Sequence, residues 1–393
     1  MRTQVGIIGA GPAGLLLSHL LHLQGIDSVV LELRDQGYIE QRVRAGVLES
    51  GTVQTLREAG LGKRLDAEGM VHDGLNIRFG GRTHRLDLAA LTQRCVTVYG
   101  QQEVVKDLVA ARLEAGGDLR FSVENVSVHD IDSDRPRISF VHNGAGAQLT
   151  CDFIVGADGF HGICRGLIPE RSEFERVYPY AWLGILARVP PSCPEVIYAR
   201  HANGFALHSM RSPSITRLYV QVHRDEDLGN WPDDRVWAEL QVRLGEDGFT
   251  LDEGPVLDKS ITPVRSFVAT PMQHGQLFLA GDAAHIVPPT GAKGMNLAVA
   301  DVRLLAYALG GYYAEHREDL LAGYTEAAAR RVWRATHFSA WMTSMLHKAP
   351  DADPFEERLA LSQLEWIASS RAMATALAEN YTGLPYEQGW SYR

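Results

Sequence analysis

The chain has few cysteines, no long hydrophobic run and no excess of positive charge. Its four cysteines in 393 residues form no C-x-x-C pair and no spacing typical of a zinc site, so we predict reduced thiols and no metal centre. The leucine-rich stretch near the start is interrupted by Ser18, His19 and His22, and no stretch reaches membrane-spanning length. These absences argue against a disulfide scaffold, a zinc protein and a membrane protein.

The net charge of −10 argues against nucleic acid or an anionic membrane as a partner, because either requires a basic surface. Hydrophobic residues make up 45% of the chain and charged residues 22%, which is typical of a globular protein with a large core. A strand pattern begins at Val5 and leaves no room for a signal peptide, so we expect a cytoplasmic protein.

A glycine motif follows that first strand pattern and leads into an apolar helix pattern. Its G-x-G-x-x-G spacing suits a dinucleotide: Gly9 permits a tight turn, Gly11 lets the backbone approach a pyrophosphate, and Gly14 lets helix and strand pack closely. Glu32 ends the next strand pattern, where its carboxylate can accept hydrogen bonds from a ribose. This motif alone does not separate NAD from FAD.

Two further strand ends decide between the cofactors. Asp282 follows an apolar strand and precedes a predicted helix over Leu297–Leu309, so its carboxylate can hold a ribityl chain while the helix N-terminus stabilises a reduced flavin. Asp158 and Gly159 end another apolar strand, with basic residues after them. The three motifs in this order favour FAD.

The periodicity predicts an α/β fold with a Rossmann-like FAD-binding domain, an inserted sheet-based substrate domain and a helical C-terminal region. The tail predicts long helices over Leu320–Met345 and Phe355–Glu379. The predicted division is 1–177 and 265–310 for the FAD domain, 178–264 for the substrate domain and 311–393 for the helical region.

More motifs are spread over the whole chain. They are Arg42-Val-Arg44-Ala-Gly46, Gly184-Ile-Leu, Ile197-Tyr198, Gly204 to Ser212, Arg217-Leu-Tyr219, the run Pro271 to Asn296, and Ala378 to Pro385. In these motifs the chain resembles the flavoprotein aromatic hydroxylases, and among them the 4-hydroxybenzoate hydroxylases. The resemblance implies an FAD-dependent enzyme that uses NAD(P)H and O₂ to convert 4-hydroxybenzoate to 3,4-dihydroxybenzoate (protocatechuate) through a C4a-hydroperoxyflavin. It also implies a homodimer built partly from the helical tail.

The resemblance assigns Ser209, Arg211 and Tyr219 to the substrate carboxylate, and a guanidinium suits such a bidentate contact. Strand alternation points the neighbouring His208 away from them, and we expect no role for it. At the other end of the ring, the resemblance assigns Tyr198 to the phenolic hydroxyl of the substrate.

Tyr198 begins an implied proton relay that continues through Tyr381 to His72. A histidine with an ordinary pKa near 6.5 can exchange the phenolic proton with solvent at neutral pH. Pro289 corresponds to a position that lines both substrate and flavin.

The resemblance also supplies the cofactor contacts. Those for FAD are Gly9, Gly11, Gly14, Glu32, Arg42, Arg44, Gln101, Asp158, Asp282, Lys293 and Asn296. Those for the nicotinamide coenzyme are Tyr38, Arg42, His161, Arg165 and Arg265. These cations favour a phosphate-rich ligand and hence NADPH, but Leu33 stands where some members carry a basic residue, which leaves NADH open.

Two alternatives remain at this point. One is a related flavin hydroxylase acting on another phenolic acid, in which the carboxylate clamp is not used. The other is a non-catalytic sensor of flavin or aromatic acids. The residues of the clamp and of the relay argue against both.

Overall fold

The computed structural model describes residues 1–42 and 46–386. Its α-helices are α1 (Pro12–His22), α2 (Gln36–Gln41), α3 (Ser50–Glu58), α4 (Gly62–Glu68), α5 (Leu88–Thr92), α6 (Gln101–Glu114), α7 (Asp233–Arg243), α8 (Gly294–Glu315), α9 (Glu318–Ala322), α10 (Tyr324–Leu346), α11 (Pro354–Ser369) and α12 (Arg371–Thr382). Within the two described ranges, no helix has the length and apolar character needed to cross a lipid bilayer.

The β-strands are β1 (Val5–Ile8), β2 (Ser28–Leu31), β3 (Val47–Leu48), β4 (Met70–His72), β5 (Gly74–Phe79), β6 (Arg82–Asp87), β7 (Val96–Val98), β8 (Asp118–Arg120), β9 (Glu124–His129), β10 (Arg137–His142), β11 (Ala145–Thr150), β12 (Phe153–Gly156), β13 (Ser172–Ala187), β14 (Ile197–His201), β15 (Gly204–Ser212), β16 (Ile215–His223), β17 (Val256–Thr270), β18 (Gln273–His274), β19 (Leu277–Leu279) and β20 (His285–Ile286). Short 3-10 turns include Gly281–Ala283 and Pro289–Gly291.

The first sheet has the strand order β18-β19-β12-β1-β2-β8. Strands β19, β12, β1, β2 and β8 run parallel, and every residue of β1, β2, β12 and β19 is buried because helices cover the sheet. Helix α1 packs against α6 and α8. The carboxyl ends of β1, β12 and β19 meet at one edge, so the three predicted cofactor motifs converge there and the Rossmann-like fold is confirmed.

The second sheet has the order β20-β17-β13-β16-β15-β14-β5-β6. One face packs against α10, α11 and α12, and the other against α7. Strands β5 and β6 lie in the stretch assigned from sequence to the FAD domain, and the sequence did not predict them in this sheet. Strands β13 and β17 extend across the predicted boundaries near residues 177 and 264.

Strands β13 and β17 form a long antiparallel ribbon within the second sheet. The pairing runs from Ser172 opposite Thr270 to Ala187 opposite Val256, with a register shift between Val177 and Ala181. Pro263, which has no N–H to donate, lies opposite Ala181 at this shift.

The C-terminal region is helical, as expected, but its two long predicted helices are each broken. The first is divided at Gly323 into α9 and α10, and the second at Ser370 into α11 and α12. The hydroxyl of Ser370 accepts from the backbone N–H of Met373 (3.4 Å) and caps α12. The apolar periodicity continues through both breaks, and the sequence therefore did not reveal them.

Candidate active site

The glycine turn after β1 has the geometry expected from its sequence. Gly9 has φ +107°, and a Cβ there would collide with the carbonyl of Ala157. A Cβ on Gly14 would collide with the carbonyl oxygen of Gly9, so helix and strand pack at the distance that only glycine allows. At Gly11 a Cβ would meet no atom within 4 Å, and the backbone there is open to a ligand.

Two further residues predicted to contact the cofactor, Glu32 and Asp158, lie beside this turn. Glu32 accepts a hydrogen bond from the N–H of Ala10 (2.7 Å). Asp158 accepts from the N–H of Cys164 through Oδ2 (2.9 Å), whereas its buried Oδ1 has no hydrogen-bond partner among the described residues. A buried acceptor without a donor is costly, and a ligand hydroxyl or amide would satisfy it. The residues of this edge therefore fit FAD.

A buried carboxylate supports the Gly281–Ala283 turn that carries Asp282. Oδ2 of Asp301, on α8, accepts from the N–H of Gly281 (2.9 Å) and contacts Nε2 of His285 (2.6 Å). Burial lowers the pKa of His285, but the carboxylate of Asp301 outweighs that effect, and the net pKa is raised. The sequence assigned no role to Asp301, which is visible only once the helix and the turn are brought together.

Asn296 was predicted to contact the flavin, but its side chain is fully used within the protein. Its oxygen accepts from the N–H of Glu49 (3.0 Å) and the hydroxyl of Thr52 (2.7 Å). Its amide donates to the carbonyls of Val47 (2.9 Å) and Ala292 (2.8 Å). Asn296 therefore anchors the start of α8 to α3 and the residues just before it. Its side chain could contact a flavin only if one of these hydrogen bonds opened.

Lys293 is buried at the same helix start. Its ammonium donates to Glu49 (2.5 Å) and to the carbonyl of Tyr381 (3.1 Å). Burial lowers the pKa of Lys293, and the carboxylate of Glu49 opposes this shift.

Gln101 begins α6 and is half-buried, while the predicted contact Arg44 lies outside the described residues.

Three of the predicted coenzyme contacts gather around one ring. The guanidinium carbons of Arg165 and Arg265 lie 4.9 Å and 4.8 Å from the centre of the Phe160 ring, and the exposed His161 packs edge-on against it. Arg165 also donates to the carbonyl of Ala283 (3.0 Å), which joins this group to the Asp282 turn. Tyr38 lies on α2 and Arg42 follows that helix; both are exposed.

The predicted relay tyrosines meet. The hydroxyl oxygens of Tyr198 (β14) and Tyr381 (α12) are 3.0 Å apart in the buried space between sheet and helices. Burial raises the pKa of Tyr198 well above its usual value and that of Tyr381 to about 12. His72, at the end of β4, is buried, its pKa is lowered by burial, and its Nδ1 has no hydrogen-bond partner in the described part of the chain. The structure thus joins two of the three relay residues directly.

The predicted clamp lies on the same face of the same sheet. Tyr198, Leu207 and Tyr219 are consecutive partners across β14, β15 and β16, so their side chains share one row. Ser209 follows on that face and donates to the carbonyl of Arg217 (3.2 Å). Arg211 is half-buried, and its Nε has no hydrogen-bond partner within residues 1–42 and 46–386. His208 pairs with Ile197 and points to the opposite face, as alternation predicted.

Arg217 is a candidate site residue that the sequence interpretation missed. Its buried guanidinium carbon lies 4.9 Å from the Tyr219 ring centre, and for its Nε and Nη1 the described residues supply no hydrogen-bond partner. Burial raises the pKa of Tyr219, but Arg217 and Arg211 outweigh it, and the net pKa is lowered. A side chain on Gly184 would reach the Arg217 guanidinium, within 2.5 Å of Nη2. The spacing Arg-x-Tyr on a strand was the available signal, because it places both side chains on one face.

Comparison with known proteins defines the family. A family model described as an FAD binding domain matches residues 2–339. The chain is 48% identical over 391 residues to the p-hydroxybenzoate hydroxylase of Acinetobacter baylyi, which covers 98% of this chain and 96% of that protein. The chain belongs to the flavoprotein aromatic hydroxylases.

Two more distant similarities, one in sequence and one in fold, also extend over most of the chain. A probable NADH-specific resorcinol 4-hydroxylase of Rhodococcus jostii is 26% identical over 349 residues, covering 81% of this chain and 61% of that protein. The crystal structure of p-nitrophenol 4-monooxygenase from Pseudomonas putida superposes with a TM-score of 0.85 at 19% identity, over 98% of this chain and 99% of that one. This flavoprotein hydroxylase is therefore an FAD-dependent monooxygenase, and FAD, when bound, supplies the redox chemistry that activates O₂.

Proposed function

We propose that the protein hydroxylates 4-hydroxybenzoate at C3 to give protocatechuate, using FAD, O₂ and a nicotinamide coenzyme. The observation that carries this proposal is the shared row of Tyr198 and Tyr219, with a hydroxyl pair at one end and two arginines at the other. Residues two strands apart are about 10 Å apart at the backbone, which suits one aromatic ring with polar groups at opposite ends. The Acinetobacter relative supports the same substrate.

The carboxylate end of the substrate is bound by cations. Arg211 supplies the bidentate contact, Ser209 a hydroxyl, and Tyr219 a hydroxyl that the arginines polarise. Arg217 adds positive potential: its Nε has no hydrogen-bond partner among the described residues, and its Nη1 lies 3.8 Å from the carboxylate of Asp258. A bound carboxylate offsets the cost of burying these cations, which favours an acidic substrate over a neutral phenol.

The phenol end is handled by the tyrosine pair. The substrate hydroxyl donates to Tyr198, which passes a proton to Tyr381. Removal of the phenolic proton makes the substrate ring more nucleophilic at C3, the carbon ortho to the oxygen-bearing C4. Because burial raises the pKa of both tyrosines, each remains a neutral hydroxyl that receives one proton as it releases another. His72 is the proposed exit, with a mobile carrier such as water between it and Tyr381.

For the coenzyme we propose NADPH over NADH. The cations Arg165 and Arg265 around Phe160, with His161 beside them, favour a ligand with an additional phosphate. The test is the ratio of kcat/KM for the two coenzymes, and equal or better efficiency with NADH contradicts the preference without affecting the hydroxylation.

We also propose a homodimer formed through α11. Phe355, Leu359 and Trp366 are 70%, 50% and 56% exposed and follow one helix face at i, i+4 and i+11. A self-complementary pairing of this face covers the apolar stripe. Sedimentation of wild type and Trp366→Glu checks it, and a monomeric wild type contradicts it. The four free thiols suit a reducing cytoplasm, the location we propose.

The deciding experiment measures NADPH and O₂ consumption with and without 4-hydroxybenzoate, and identifies the product. We expect substrate-stimulated consumption and one protocatechuate per NADPH. A stronger response to another phenolic acid would move the substrate assignment within the family. Tight binding without any stimulated oxidation would instead favour the sensor alternative.

A further inference from the structure

A histidine outside the predicted site lies inside an aromatic cluster of the substrate sheet. His347 follows the last residue of α10 and is buried. Its ring centre lies 4.3 Å from that of Phe205, 4.7 Å from that of Tyr180 and 5.7 Å from that of Trp182, all with nearly parallel planes. Such stacking holds the imidazole in one orientation.

Hydrogen bonds define which nitrogen of His347 carries the proton. The indole N–H of Trp182 donates to Nε2 (2.6 Å), and Nδ1 lies 3.1 Å from the carbonyl oxygen of Thr343. An indole nitrogen can only donate, so Nε2 must be the acceptor and Nδ1 must carry the hydrogen that is donated to Thr343. Burial lowers the pKa of His347 to about 3, and the facing cation Arg200 adds to this shift. The imidazole is therefore neutral with a single tautomer.

Both partners of His347 reach the proposed site. The ring of Trp182 lies 4.8 Å from the ring of Tyr219 in the clamp. The hydroxyl of Thr343 donates to the carbonyl of Ser339 (2.7 Å), and its oxygen lies 2.9 Å from the hydroxyl oxygen of Thr290, the residue after Pro289. His347 thus connects the carboxylate clamp on the sheet with the turn that lines the flavin side.

We propose that His347 is a positioning residue for substrate binding: its Nδ1-protonated tautomer holds Trp182 against Tyr219 and thereby sets the geometry of the carboxylate clamp. This inference rests on the proposed function, since it assumes that Tyr219 contacts the substrate carboxylate. It predicts an effect on substrate affinity with little effect on FAD binding or on the rate at saturation.

Two substitutions separate the hydrogen bond from the stacking. His347→Phe keeps a ring in the cluster but leaves the buried indole N–H of Trp182 without an acceptor. His347→Gln loses the ring but keeps an acceptor for Trp182 and a donor for Thr343. We expect the Kd for 4-hydroxybenzoate to rise about fivefold or more in His347→Phe, because a buried donor is left unpaired, and to stay closer to wild type in His347→Gln.

Trp182→Phe removes the same hydrogen bond from its other end. Its effect on substrate affinity should not add to that of His347→Phe, and it provides the test if His347→Phe does not fold. Nitrogen-15 NMR of histidine-labelled wild type should show His347 protonated at Nδ1 alone between pH 6 and pH 8, a range of about two units around the usual titration of histidine.

An unchanged Kd in both His347→Phe and Trp182→Phe, or protonation of His347 at Nε2, would overturn the inference. Wild-type protein that neither binds nor hydroxylates 4-hydroxybenzoate would overturn the proposed function instead. In that case the NMR result still decides whether the tautomer is as inferred, so the two failures are distinguishable.

Discussion

The cofactor edge and the substrate face of this protein are built from different chemical groups. At the edge of the first sheet, the ligand contacts that we propose come largely from backbone turns, in which Gly9 and Gly14 remove atoms that would otherwise collide. On the face of the second sheet they come from side chains such as Arg211 and Tyr198, brought together by strand register. A backbone site is encoded in a short local motif, whereas a side-chain site depends on which distant strands pair.

The two regions also differ in the cost of holding their ligand-binding groups. At the cofactor edge the buried charges are paired within the protein: Asp301 contacts His285, and Lys293 donates to Glu49. The substrate face instead buries the guanidinium of Arg217 without a full set of hydrogen bonds. Such a charge is stabilised when an anion binds, so this face is preorganised for its ligand at the expense of its own stability.

The largest expected effect comes from Tyr198→Phe, which removes the first proton acceptor and keeps the ring. Loss of a positioned acid–base group costs about 10²–10⁴ in rate, so product formation should fall about a hundredfold or more while NADPH is still oxidised and hydrogen peroxide accumulates. Protocatechuate and peroxide are measured per NADPH consumed. Tyr381→Phe should be milder.

Tyr324→Phe is the matched control for this pair. It removes another buried hydroxyl, which donates to the carbonyl of Leu279 in the cofactor region. It should leave coupling unchanged if the substrate face alone manages the proton. A fully coupled Tyr198→Phe enzyme would show that the phenol loses its proton by another route.

The next effect is on substrate affinity in Arg211→Ala. A desolvated carboxylate that loses its cation costs about 2–5 kcal/mol, and we expect 4-hydroxybenzoate to bind at least tenfold more weakly. FAD content should remain normal, because the clamp is separate from the cofactor edge. Arg211→Lys keeps the positive charge but lacks the planar guanidinium, so its affinity for 4-hydroxybenzoate should lie between those of wild type and Arg211→Ala. Equal affinity in wild type and Arg211→Ala would place the carboxylate elsewhere.

A pair of glycine substitutions tests the cofactor edge. At Gly11, where φ is −73° and space is open, alanine should change the free energy of unfolding of the apoprotein by less than about 1 kcal/mol. Its FAD affinity should fall about tenfold, a loss of about 1.4 kcal/mol, because the added methyl group meets the pyrophosphate. Gly14→Ala should lower both the free energy of unfolding of the apoprotein and the affinity for FAD, since its methyl group collides with the protein itself. Normal FAD binding by Gly11→Ala would mean that the phosphates do not pass there.

The smallest effect is a pH dependence of stability at the cofactor edge. The raised pKa of His285 beside Asp301 means that its stabilising contribution is complete below the ordinary pKa near 6.5 and is lost as pH rises through the folded value. Urea unfolding of the apoprotein should show a difference between wild type and His285→Gln that is largest near pH 6 and shrinks towards pH 9. The half-exposed His274, paired with Asp132, is the control, and His274→Gln should show little difference at either pH. A difference that grows with pH would contradict the assigned protonation.

The sequence predicted the fold at this edge of the first sheet because the motifs there are local. The turns at Gly9 and Gly281 follow apolar strands whose parallel pairing is the usual consequence of such runs. The roles of Asn296 and Arg217 were not predictable in the same way. Asn296 is engaged by backbone groups about 250 residues earlier in the chain, and Arg217 gains its meaning only from burial beside Tyr219.

The relay shows the same limit. The contact between Tyr198 and Tyr381 requires α12 to fold back over β14 across 183 residues. Resemblance to a family indicated the pair, but no spacing in the chain did. The breaks at Gly323 and Ser370 were missed for a related reason, because a single capping residue ends one helix and begins the next without disturbing the apolar pattern.

The ribbon of β13 and β17 has a mechanical consequence. Its ladder shifts register at two places, between Val177 and Ala181 and between Leu186 and Ala187, and the first interruption is the longer one. A change of angle between the two halves of the ribbon would concentrate there. Arg265 lies opposite Val177, directly at this point. A tilt of the substrate sheet about this shift would move the Arg265 guanidinium that we propose contacts the coenzyme, and would thereby link the two ligand sites mechanically.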